Sequence, residues 1–417
     1  MTSQVVLSNG FGVAIASDSA MTFGESRTYD TAEKVFPVPS PHQIAALHSG
    51  SVFFHEMPFQ SLFSEWCRSL PTEPLSTVNE YANHFLAWLV QTTPKISTQN
   101  QINLYGSIFN NCLNEIWGDY QEIIKTGTDD PLGTIKAKVR QLIADISTWK
   151  PVANMNSDLV ERLFVRHAEW NQGRINFYFD DCESDEELEK AALQYVKQTL
   201  LTGYWSNVAS LAFCGYGKTE LLPATFQVDI YGALDKIPMW RVIDQSSFSA
   251  EYGGKWFHIL PLGQTAAIHE FLKGIDSQVF EIAEEIACDA SDIGELSMKE
   301  FLEATFIEQH APLQLTAQIQ MALQNGERLA KVGEKVRELA NNRLTKHMEE
   351  TRLERLREVV AGIPTATLAS VAQSLISIVP LRQALSGELG TVGGPIDVAT
   401  ITRADGFKWV QHKSIGL

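Results

Sequence analysis

The chain has 417 residues, 44% hydrophobic and 20% charged, enough apolar material for one large or two to three ordinary globular domains. A formal net charge of −17 argues against general nucleic-acid binding and against attraction to an anionic membrane surface, both of which need a Lys/Arg surplus. The five cysteines are scattered with no CxxC pair, so neither a disulfide framework nor a zinc knuckle is expected, and a reducing cytoplasm is the natural setting.

The opening reads as strands. VVL at 5–7 and GVAIAS at 12–17 flank the turn SNGF, while KVFPV at 34–38 and QIAALHS at 43–49 flank PSPH. Four short strands with tight connections predict an antiparallel start. Asp18 ends the second strand and Lys34 begins the third, so a Thr2 that opens the first strand would meet both at one edge of a small sheet. No basic region precedes an apolar run, and the start is not read as a secretory signal.

From residue 53 to 204 the apolar spacing turns helical, as in Tyr81, Phe85, Leu86 and Leu89, and again in Leu104, Ile108, Leu113 and Ile116. TGTDDPLG (126–133) and NQGR (171–174) read as breaks between helices. ESDEELE (183–189) reads as a helix start, because carboxylates suit the positive end of the helix dipole. Strands return between 205 and 263 in VASLAFCGYG, ATFQVDIYGAL, MWRVIDQ and WFHILPLG. Residues 264–386 are helical once more, and the mixed charges of the long periodic stretch 316–360 read as a solvated face. The most apolar run, Ala366 to Leu381, contains Gln373 and Pro380 and is expected to fall short of the ~18–20 residues a membrane helix needs. PIDVATIT, the turn ADG and FKWVQ close the chain as strands. Segregated blocks predict an α+β fold. One sheet-bearing core is drawn from 1–52, 205–263 and 387–417, with helical excursions at 53–204 and 264–386.

Several motifs fail. CGYGKTE (214–220) resembles a phosphate loop, but Ala212 stands where the pattern needs glycine, so a strand followed by a glycine turn is the better account. The ten histidines form no HExxH and no pair at ligand spacing, and there is no GxSxG elbow. No metal and no cofactor are expected.

Thr2 carries the chemistry that remains. Methionine is normally trimmed ahead of a small side chain, which would leave a hydroxyl and a free α-amine on one residue. An α-amine with a pKa near ~7.7–8.0 can act as general base for its own hydroxyl. A neighbouring lysine lowers the pKa of both groups, and a carboxylate holds that lysine charged and oriented. Lys34 and Asp18 supply those two groups.

These residues resemble the start of a proteasome β-type subunit of the N-terminal nucleophile (Ntn) hydrolase superfamily. The family shows a nucleophilic threonine, an aspartate in GVxxAxDSxxTxG, a lysine before an apolar strand, and a strand ending in SGS. Here stand Thr2, GVAIASDSAMTFG (12–24), Lys34 in EKVFPV and AALHSGS (45–51), with the Thr2–Asp18 and Asp18–Lys34 intervals matching without a gap. More faintly, FCGYGKTELLPATFQVDIYGAL (213–234) is similar to the family's central hairpin and GTVGGPIDVATITRADGFKWV (390–410) to its closing strands.

The resemblance implies a single Ntn-hydrolase-like domain over 1–417, a four-layer αββα sandwich with two long helical insertions. It implies Thr2 as nucleophile, Lys34 tuning its amine, Asp18 orienting Lys34, and the Gly50 N–H binding the oxyanion. Thr22 would hold the substrate backbone, and Met21, Ala32, His48 and Val52 would lie at the side-chain pocket; His48 alternatively covers the polar end of its strand. Two positions depart from the pattern. PLGQT (261–265) replaces a Gly-Ser-Gly, with Gln264 or Thr265 in the serine's place, and only Glu388 offers a carboxylate before Gly393–Gly394. The implied activity is cleavage of a peptide or unfolded protein through an acyl-enzyme on Thr2, in a cytoplasmic, ring-like homo-oligomer with no nucleic-acid or membrane partner. Two other readings stay open: a non-catalytic proteasome-like scaffold or binding subunit, and an amidohydrolase of the same superfamily acting on a small amide.

Overall fold

Strands β1 (Ser3–Asn9) and β2 (Gly12–Ser17) are buried along their whole length and pair antiparallel. Their turn is closed by Asn9, whose Oδ1 accepts the N–H groups of Phe11 at 2.9 Å and Gly12 at 3.3 Å. The computed structural model describes residues 2–23, 27–179, 185–205, 208–247, 257–273, 342–343, 346, 354–386 and 392–413. Two short strand pairs were not anticipated. They are β3 (Met21–Phe23) with β4 (Arg27–Tyr29), and β7 (Phe53–Phe54) with β8 (Met57–Pro58); β5 (Val35–Pro37) and β6 (Gln43–Gly50) lie between them.

Among the described residues seven α-helices succeed them: α1 (Phe59–Ser69), α2 (Val78–Thr92), α3 (Thr98–Lys125), α4 (Pro131–Ser147), α5 (Ser157–Arg166), α6 (Ala168–Phe179) and α7 (Glu186–Thr202). The predicted break at 126–133 and the predicted helix start in 183–189 both hold. Asp130 and Pro131 start α4, and Asp185 starts α7 by accepting the N–H groups of Glu187 and Leu188. NQGR, read as a break, lies inside α6 instead. Asn171 is buried and accepts the Tyr105 hydroxyl at 3.0 Å, and this tertiary contact outweighs the weak helix propensity of Asn and Gly.

Strands β9 (Ala209–Tyr216), β10 (Ala224–Leu234), β11 (Ile237–Ser247) and β12 (Phe257–Gly263) come next, and β13 (Asp397–Thr402) and β14 (Gly406–Gln411) end the described chain. After β9, CGYGKTE forms the expected turn, where the Glu220 carboxylate accepts the N–H groups of Gly217 and Val78. The strands form two antiparallel five-stranded sheets, β12-β1-β2-β13-β14 and β11-β10-β9-β6-β5. Val6, Val13 and Ile15 of the first share a core with Leu47, Ala212 and Cys214 of the second. The other face of the second sheet packs Phe213, Phe226 and Val228 against Phe63, Trp66 and Phe85 of α1 and α2.

Helices α8 (Ala266–Lys273), α9 (Glu354–Ala361) and α10 (Thr365–Ser386) belong to the second helical stretch, and α10 packs on β1, β2 and β13. Among the described residues Thr365–Leu385 is long and apolar enough to cross a membrane by length and composition, with 39% of its window buried. That corrects the expectation that this run falls short. Gln373 and Pro380 sit within the helix because Ala372, Ile376 and Val379 pack inward and offset the lost backbone bond. The chain forms two compact units, Met1–Gly263 with Pro364–Leu417, and Gln264–Ile363. Most of the periodic stretch 316–360 lies outside the described residues.

Candidate active site

Asp18 follows the last residue of β2, where the chain leaves the sheet with its carboxylate in the interior. Its Oδ1 accepts the Ser3 N–H at 2.9 Å and the Lys34 ammonium at 2.6 Å, and its Oδ2 accepts the Gly393 N–H at 3.4 Å. The Lys34 ammonium also donates to the Ala20 carbonyl at 2.6 Å. The two side chains are 1% and 5% exposed, so this is a desolvated pair and not a solvated strand-end contact. Burial is the larger influence on both groups. It lifts the Asp18 carboxyl above its ordinary value and pulls the Lys34 ammonium below its own, while their mutual attraction opposes each change.

Asp18 and Lys34 meet beside the start of β1, but not at one sheet edge. Thr2 and Asp18 flank the interior strands β1 and β2 of the first sheet, while Lys34 precedes β5, the edge strand of the second. Lys34 therefore joins the two sheets. Period-two reading identifies which residues a strand buries but not which sheet it enters. Half-buried Thr2 lies one residue from the N–H that Asp18 binds, and it rests on Gly263, across which a Cβ would stand 2.0 Å from the Thr2 carbonyl oxygen. Only glycine fits at position 263. Gln4 reaches over with its amide, donating to Ser17 Oγ at 3.0 Å and to the Lys34 carbonyl at 3.2 Å.

The expected substrate residues occupy the end of β6 and the hairpin after Asp18. His48 is buried beside Lys34: its own N–H donates to the Lys34 carbonyl, its Nε2–H to the Ser51 carbonyl at 2.5 Å, and its ring stacks on Phe59 at 4.8 Å. The ring covers the end of β6 against Phe59. Burial lowers the His48 pKa to about 4, so the ring is neutral. Gly50 adopts φ +80° and has the Val208 carbonyl where a Cβ would be, at 2.2 Å, so only glycine fits. Met21 and Thr22 lie on β3 opposite Tyr29 and Thr28. A cavity of about 340 Å³ is walled by Ser51, Phe59 and Ala209 and by Leu104 of α3; it begins one residue past Gly50, and neither Thr2, Asp18, Lys34 nor His48 lines it. Glu388 lies outside the described residues, and Gln264 and Thr265 fall in the other compact unit.

A second buried charge group was not anticipated. Lys413, just past β14, places its ammonium on the Asp397 carboxylate and 3.4 Å from Glu33, and its N–H donates to Asp397 Oδ1 at 2.8 Å. His412 stands 3.5 Å from the same Glu33 oxygen. The Lys413 ammonium is the cation among these acceptors, which makes them ion-pair partners. The one visible signal was a carboxylate inside the apolar run PIDVATIT.

No protein-family model matches the chain, and no curated protein matches it either.

Proposed function

We propose that the chain is a proteasome-like Ntn hydrolase with the four-layer αββα sandwich, and that Thr2, once freed as an N-terminal residue, is its nucleophile. One observation carries this reading: the buried Lys34–Asp18 pair converges, from two different sheets, on the backbone beside Thr2. A buried ion pair adds little net stability, so its position next to a potential nucleophile is what gives it meaning. The stacked antiparallel sheets, with α10 on one and α1 and α2 on the other, support the layer order.

In this reading the Thr2 hydroxyl attacks a substrate carbonyl and its proton passes to the α-amine. The positive charge of Lys34, held and aimed by Asp18, keeps that amine neutral. The oxyanion is received by the Gly50 N–H. The amine then gives the proton to the leaving amine, and water hydrolyses the resulting acyl ester. A peptide or unfolded protein is the substrate class, and a homo-oligomeric ring the assembly.

Intact-mass measurement with and without a peptide epoxyketone tests this, since that warhead needs the hydroxyl and the free amine of one N-terminal threonine. The expected result is a chain beginning at Thr2 that gains one adduct, with none in Thr2→Ala and at least a hundredfold slower formation in Lys34→Ala. A chain that keeps residues ahead of Thr2 overturns the reading and promotes the scaffold. A free Thr2 without adduct favours the small-amide hydrolase.

A further inference from the structure

The segment 33–34 is held twice. Lys34 turns to Asp18 and Ala20, while its neighbour Glu33 meets the Lys413 ammonium at 3.4 Å and His412 at 3.5 Å. Lys413 is itself fixed on Asp397 by both its ammonium and its N–H, and both side chains are 2% exposed. Asp397 is aligned opposite Ser17, the residue before Asp18. The strip leading to Asp397 wraps the same carboxylate: Gly393 gives its N–H to Asp18 and its carbonyl to the N–H groups of Ser19 and Ala20, and Ser19 Oγ donates to the Pro395 carbonyl at 2.7 Å. Two buried lysine–carboxylate pairs thus stand side by side, linked by the peptide between Glu33 and Lys34.

A second buried pair is hard to explain as a stability device, because desolvation cancels most of the Coulomb gain and an apolar pair would serve as well. It does make the docking of the last described residues a condition for fixing residues 33–34. We propose that Lys413, clamped by Asp397 and Glu33, is a positioning residue for Lys34, so that the segment after β14 completes the site. The role in catalysis rests on the Thr2 reading; the effect on Lys34 does not. Among the described residues, Asp18 from the end of β2, His48 from β6, Asp397 from β13 and Lys413 beyond β14 act on or lie against Lys34, and Glu33 adjoins it in the chain. The Lys413 cation disfavours a proton on Lys34, and the Asp397 anion favours one.

The test uses the full chain with ¹³C-labelled lysine methylenes, following the Lys34 resonance against pH in Lys413→Met, Asp397→Asn and the double variant. The singles break the same bond but leave opposite charges. The Lys34 midpoint is expected to rise in Lys413→Met, to fall in Asp397→Asn, and to return toward wild type in the double variant, which buries no unpaired charge and so keeps the fold. A merely structural role moves both singles alike. Shifts of one sign, or none, overturn the proposal. Epoxyketone adduct formation is read in parallel and is expected to slow about tenfold to a hundredfold in Lys413→Met, with Lys413→Arg recovering most of the loss. An unchanged adduct rate in Lys413→Met also overturns it. If wild type forms no adduct, the Thr2 reading fails, and the Lys34 titration still decides whether Lys413 acts on Lys34.

Discussion

His48 shows at the scale of one residue how burial becomes a pH dependence. An ordinary histidine titrates near ~6.5, whereas this ring, enclosed against Phe59 and bonded to Ser51, is held near about 4. Between those values the unfolded chain binds a proton that the folded chain refuses. The stabilisation is complete above pH 6.5 and is lost as pH falls toward 4. The loss attributable to His48 is expected to reach about 3 kcal/mol. Urea unfolding at stepped pH checks it, and His48→Gln should remove that share of the slope. A slope identical in both proteins would mean the ring is solvated.

At the scale of elements, α3 holds two strained turns. The β7–β8 hairpin turns at His55 (φ 49°) and Glu56 (φ 68°), and the β10–β11 hairpin at Asp235 (φ 50°) and Lys236 (φ 65°). Two-residue turns with two positive φ values favour Asn-Gly, and neither turn has it. Contacts with α3 hold both: Asn100 donates to the His55 carbonyl at 3.2 Å, and Gln101 Oε1 accepts the Lys236 N–H at 2.6 Å. The Ala233 N–H, donated to His55 Nε2 at 2.7 Å, ties the turns to each other. Replacing Asp235-Lys236 by Asn-Gly should relieve strain and raise unfolding free energy by about 1–2 kcal/mol, read by chemical denaturation. The exposed Arg166–Asp235 ion pair lost in the exchange is worth under about 1 kcal/mol.

For the whole molecule, the two-unit division makes its own prediction. Every strand of both five-stranded sheets lies in the unit Met1–Gly263 with Pro364–Leu417, as does α10. Gly263 aligns with Ser3 at one end of β1, whereas Thr365 donates to the Phe11 carbonyl at the other end, a span of roughly 20–25 Å. A flexible Gly/Ser linker of about 15 residues bridges that distance. A chain in which it replaces Gln264–Ile363 is expected to unfold cooperatively with strand content retained, measured by circular dichroism. A broad, non-cooperative transition would show that the excised unit is needed for folding.

What was legible from the residues is local. Turn chemistry and β-rich composition placed every long strand, three- and four-residue spacing placed α2 and α3, Asp18 and Lys34 stood out because charges in apolar strand ends are costly, and Thr2 because methionine trimming would expose it. The α+β class follows from the same block order. NQGR misled because propensity cannot foresee that Asn171 finds the Tyr105 hydroxyl. Lys413 passed unnoticed because it lies beyond the last apolar strand and its second partner, Glu33, is at the other end of the chain. Sheet membership was invisible for the same reason: β1, β2 and β5 follow one another in sequence, yet long-range pairing sends β5 to β6 and β9's sheet and leaves β2 beside β13. Side-chain pattern records what a strand must bury. Only packing in three dimensions determines against whom, and that is what carries Lys34 across from one sheet to the carboxylate of the other.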